Sequence, residues 1–167
     1  MLFRSIFEWV DAFPSSIALR ESASGFPVLL TVHLVSLCMF AGLLVMMDLR
    51  LMGIGYLRTP LSQIQERLFT WQMLALAVSS ISGLILLYSQ PLRYYGKVLF
   101  WTKMALMGLA GVNALVFHLT IYRSVHLWDR DRVPPVRARV AGAFGLILWG
   151  GVVVFGRLTA YDWLTSR

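Results

Sequence analysis

The chain has 167 residues, of which 58% are hydrophobic and only 14% charged, against about 25% charged in soluble domains. That balance excludes an ordinary soluble enzyme and predicts an all-α integral membrane protein with a single membrane domain over residues 1–167. The net charge of +7 comes from basic residues at the ends of apolar runs, not from a basic stripe interleaved with aromatics, so no nucleic-acid partner is expected.

Residues 1–25 are a lead-in. Leu2, Phe3, Ile6, Phe7 and Val10 recur at helical spacing with Arg4, Ser5, Glu8 and Asp11 opposite, which predicts a short amphipathic helix in the membrane interface. The same charges interrupt any signal-peptide core, so the N-terminus is expected to be kept. Pro14-Ser15-Ser16 then offers a break and an N-cap for a second short helix.

The first span is predicted at 26–48, FPVLLTVHLVSLCMFAGLLVMMD, long enough to cross a bilayer. His33 is an ionisable residue inside it and therefore a functional hypothesis. Cys38 is the single cysteine, which excludes an intrachain disulfide or a CxxC motif; it is expected to pack within the bundle. Asp48 closes the span and is expected to pair with His118 or Arg50.

The second span is predicted at 69–89, continuing a helical lead that Thr59-Pro60 opens as N-cap and first helical residue. Gln72, Leu76, Ser79, Ser82 and Gly83 fall near one face, where small and polar residues let another helix or a flat ligand approach. A turn with Pro91, Tyr94 and Tyr95 leads to the third span, 98–122, whose Lys103, Met107, Ala110, Ala114 and His118 share a face expected to point inward. Pro134-Pro135 breaks the basic connection that follows, where His126 is read as a solvated or interfacial side chain. The fourth span, 140–161, presents Arg157 and Tyr161 on one face. Together these predict a four-helix bundle.

Loops one and three carry eight basic residues, among them Arg50, Arg58, Arg130 and Arg132, against five on the other side. The positive-inside rule then places those loops in the cytoplasm of a bacterial inner-membrane protein, with both termini periplasmic.

Counting residues from the span ends at about 1.5 Å each puts His33, Lys103 and Arg157 within roughly a helical turn of each other in depth. His118 lies about 21 Å deeper, too far to share one iron with His33. Three cationic groups in one layer need a partner. The candidates are a haem b with neutral His33 on the iron and propionates on Lys103 and Arg157, a lipid or quinone head group, or a metal ion held by His33 with Met104 or Met107. Tyr161, Ser82 and Gly83 complete this outer site. Asp48 and His118 form a separate inner polar pair, for which a structural role at the helix end is the simpler reading. There is no Gly-rich phosphate loop, HExxH motif, nucleophile elbow or pair of carboxylates within a span, so the reaction of a stand-alone enzyme is not legible.

The segments FPVLLTVHLVSL, GLLVMMDLRLMG, KMALMGLAGVNALVFH and GRLTAY resemble a group of bacterial four-span membrane proteins catalogued as a domain of unknown function. More distantly, the span-one histidine, YGKVLFWTK and the intramembrane lysine are similar to the copper-resistance CopD-type domain and to the haem-associated HemJ-type protoporphyrinogen oxidases. That resemblance implies His33 as the haem or metal ligand and Lys103 as a second essential group. The expectation is therefore a haem b-binding electron-transfer subunit working with quinone or with a periplasmic or membrane redox partner. The alternatives are a copper-handling or transport protein without haem, and a non-redox anchoring or assembly subunit.

Overall fold

The computed structural model describes residues 2–159, with side chains from Arg4 onward. Four of its helices are long and apolar enough to cross a membrane, making this a multi-pass membrane protein. Two short helices, α1 (Leu2–Asp11) and α2 (Pro14–Glu21), precede the first long one, α3 (Gly25–Met52). The second long helix is α4 (Leu61–Ser89), and α5 (Pro91–Tyr95) makes the turn into α6 (Val98–Val116). α6 runs on through a π-helical turn, Phe117–Ile121, and a 3-10 turn, Tyr122–Leu127. The last long helix is α7 (Val136–Leu158). No strand occurs among the described residues.

The long helices form an open arrangement. α3 packs against both α4 and α7, and α6 packs against α7, whereas α4 and α6 stay apart. Lipid-facing hydroxyls are satisfied within their own helices: Thr31, Thr102 and Thr120 each donate to the carbonyl four residues back. Cys38, expected to pack inside, is exposed instead. The apolar surface of a membrane helix has no need to turn inward, so hydrophobicity alone did not place this side chain.

The loop end, where residues 53–60 and 128–135 meet, is built around Arg50. This side chain is fully buried and donates from Nε to Thr59 O at 3.0 Å, and from Nη2 to Asp129 O and Asp131 O at 3.0 and 3.1 Å. It therefore ties the two loops together and is not the free loop charge that a simple count makes of it. Below it Met47, Leu51, Leu61, Ile64, Phe117, Trp128 and Ala138 form the apolar core of this end. α3 stops in a Schellman motif: Gly53 has φ 73°, its N–H bonds Arg50 O, and Ile54 N–H bonds Leu49 O. A side chain at Gly53 would also meet Pro134 Cδ at 3.1 Å.

The start of α4 departs from expectation. Leu61, not Pro60, is its first residue, and Thr59 does not cap it. The cap comes from the distant loop: Asp129 accepts from Ser62 N–H at 2.7 Å and from Ser62 Oγ at 2.6 Å. A carboxylate there also meets the positive end of the helix dipole. Asp129→Ala is expected to cost about 1–2 kcal/mol of stability, read as a lowered unfolding midpoint in detergent; an unchanged midpoint would show that water replaces this cap.

At the opposite end α1 lies against α5, with Phe7 and Tyr95 ring centroids 5.0 Å apart. Ser16 anchors α2 by donating to Tyr88 O at 2.9 Å, and Arg20 pairs with Asp11 at 2.9 Å. Buried Lys97 donates to Thr159 O at 2.9 Å and so caps the C-terminus of α7 with a cation.

Candidate functional site

His33 sits on α3, half-buried against α4. Its Nδ1 lies 2.9 Å from Ser79 O and 3.1 Å from Ser82 Oγ. A carbonyl can only accept, so Nδ1 carries a proton, and in the neutral ring Nε2 keeps its lone pair. Ser82 in turn donates to Val78 O at 2.6 Å, which aims its oxygen at the ring. Gly83 leaves room for that ring, since a β-carbon there would lie 3.0 Å from His33 Cε1.

Lys103 reaches the same layer from α6. Its Cδ and Cε would be 3.6 Å from a β-carbon at Gly156 of α7, so the stem lies along that glycine. Met104 and Met107 are half-buried on the same helix. Arg157 is placed differently: it is exposed, on the face of α7 that also exposes Gly150 and Val153. Tyr161 lies outside the described residues.

A second site occupies the gap between α4 and α6. It is a cavity of about 190 Å³ lined by all four long helices, with Asp48 and Phe40 from α3 and Gly145 and Trp149 from α7 on its floor. Asp48 is buried and its Oδ2 has no hydrogen-bond partner. The carboxylate rests on Gly145, where a β-carbon would come 2.7 Å from Oδ2. His118 stands at the exposed rim, its Nδ1 donating to Ala114 O at 3.1 Å and its Nε2 facing Gln65 Nε2 at 3.5 Å. The rim residue begins the π-helical stretch with Phe117, a local widening often found at functional sites.

A family model described as a family of unknown function (DUF6644) matches residues 7–162. The chain belongs to this family. No curated protein and no solved structure matches it.

The geometry brings together His33, Ser79, Ser82 and Gly83, lays Lys103 along Gly156 of α7, and leaves Arg157 on an outward face. His33 meets α4 at Ser79 and His118 meets it at Gln65; at about 1.5 Å per residue those 14 positions put the histidines roughly 21 Å apart along the helix. Asp48 lines the same cavity as His118 but forms no ion pair with it or with Arg50. No cluster of three or more His, Cys, Asp or Glu side chains suited to a metal ion occurs among the described residues, so a metal or haem here would rest chiefly on His33. The sequence reading missed Gly145 and Gly156, the two glycines on which Asp48 and Lys103 lie. Their signal was present as small residues in a span, but the pattern does not say which of the five glycines in this helix meet a neighbour.

Proposed function

We propose that this protein is a haem b-binding electron-transfer subunit of a bacterial inner membrane, with both termini periplasmic and the Arg50 loop end in the cytoplasm. The observation that supports it is the His33 hydrogen bond to Ser79 O. Histidines that ligate a metal hold their other ring nitrogen in this way, which fixes the ring and leaves the ligating nitrogen unprotonated. His33 Nε2 would take the iron, Lys103 would meet a propionate, and Met107 or Met104 is the candidate for a second ligand. Gly83 gives the His33 ring its place against α4. Bound haem would supply one-electron chemistry; the chain's own residues orient the ligand, offset anionic charge and keep the layer dry. Quinone in the bilayer, or a periplasmic or membrane redox subunit, would exchange the electrons.

The test is an absorption spectrum of protein expressed with added haem precursor. A Soret band is expected in the wild type and in His118→Ala, and its loss is expected in His33→Ala. A wild-type spectrum without that band sinks the haem reading; copper found bound in its place, and lost in His33→Ala, would move the assignment to copper handling.

A further inference from the structure

The cleft between α4 and α6 has a chemical character of its own. Gln72 donates from Nε2 to Leu43 O at 3.2 Å, and Asn113 donates from Nδ2 to Ala141 O at 3.0 Å. Both partners are carbonyls, so the amide groups must face them with nitrogen and turn their oxygens away. His118 uses its Nδ1–H on Ala114 O, and its Nε2 lies 3.5 Å from Gln65 Nε2. The polar side chains lining the cavity are thus three amides, Gln65, Gln72 and Asn113, with His118 and the Asp48 carboxylate, whose Oδ2 lies against Gly145 and has no hydrogen-bond partner.

The rest of the lining is apolar and aromatic. Phe40, Phe69, Phe117 and Trp149 all border the cavity, and no Lys or Arg does. Arg50, two residues beyond Asp48, directs its guanidinium to the loop carbonyls. An anionic group in apolar surroundings with no counter-charge is costly, and aromatic faces attract cations. The volume exceeds the roughly 150 Å³ that holds a benzene molecule, so a single ring with a short side chain fits. Phe69, Met73, Gly111 and Ala114 line the cavity and are exposed, so the opening between α4 and α6 faces the lipid.

We propose that this cleft binds an amphiphilic organic cation, with its ammonium group against Asp48 and its apolar part among the aromatic side chains, entering laterally from the bilayer. This site is separate from the His33 layer and does not depend on haem.

Benzylammonium and its neutral counterpart benzyl alcohol are the probes, titrated calorimetrically into protein in lipid nanodiscs with empty discs subtracted. The wild type is expected to bind benzylammonium saturably and at least tenfold more tightly than benzyl alcohol. Asp48→Asn keeps the side-chain shape and should weaken benzylammonium at least tenfold. Gly111→Leu narrows the mouth at a position where an added β-carbon meets nothing within 4 Å, and should weaken it by a similar factor. Equal binding of the two probes, or undiminished binding to Asp48→Asn, overturns the proposal. Should Asp48→Asn fail to fold, undiminished binding to Gly111→Leu overturns it equally. The titration reads no colour or redox state, so a colourless protein that binds benzylammonium refutes the haem reading while supporting this one.

Discussion

Replacing Arg50 by alanine is expected to lower stability by about 3–5 kcal/mol, the loss of three hydrogen bonds from a charged donor offset in part by removal of its buried, unpartnered Nη1. The reason is local and structural. Arg50 is fully buried, yet its three hydrogen bonds go to carbonyls of Thr59, Asp129 and Asp131, not to a carboxylate. Hydrogen bonds to a charged donor contribute about 1.5–3 kcal/mol each, and alanine leaves all three acceptors to find water or remain unmade. Asp129 is also the group that caps α4, so loosening its backbone loosens that helix start. For a chain of this size the midpoint of thermal unfolding should fall by roughly 10 °C. Arg58, exposed in the same loop, is the control, and its alanine variant should stay within about 0.5 kcal/mol of wild type. Arg50→Lys should recover only part of the loss, because one ammonium cannot span the planar fork that reaches both loops. A midpoint for Arg50→Ala as high as that of Arg58→Ala would show that the loops hold each other without the guanidinium.

Arg50 also marks where sequence reading stops. The four apolar runs, the breaks at Pro60, Pro91 and Pro134-Pro135, and the all-helical bundle are carried by composition and periodicity, and the structure has them. His33 and Lys103 were legible because a charge in a lipid-length run is rare enough to stand out. Arg50, by contrast, reads as one of several arginines at a span end; only the fold shows that three carbonyls from two loops converge on it. The same holds for Lys97, which reads as a loop cation and caps α7. In membrane helices the hydrophobic pattern is nearly uniform around the axis, so it cannot say which face meets protein and which meets lipid. Cys38 and Arg157 lie on exposed faces for that reason. The cleft between α4 and α6 was hidden more deeply, since it depends on a helix pair that fails to pack.

The glycines of α7 turn that ambiguity into a measurable difference. Gly142, Gly145 and Gly150 look alike in the sequence, but their surroundings differ. A β-carbon at Gly142 would lie 2.9 Å from both Asp48 O and Leu51 Cβ, and one at Gly145 would press on the Asp48 carboxylate. At Gly150 it would meet nothing within 4 Å. The contact at Gly142 is with the backbone of α3, which no change of rotamer relieves, so α3 and α7 must separate if a side chain is added. Gly142→Val is therefore expected to cost about 1–3 kcal/mol or more, the usual range for overpacking, and to lower the unfolding midpoint accordingly. Gly150→Val at the open position should be within about 0.5 kcal/mol of wild type. Because Gly145 is three residues along the same face, the separation should also shift the floor of the cleft. Gly142→Val should then weaken benzylammonium binding in protein that still folds, while Gly150→Val leaves it unchanged. Equal stability of the two variants would mean that α3 and α7 are not held at the close distance on which the Asp48 site depends.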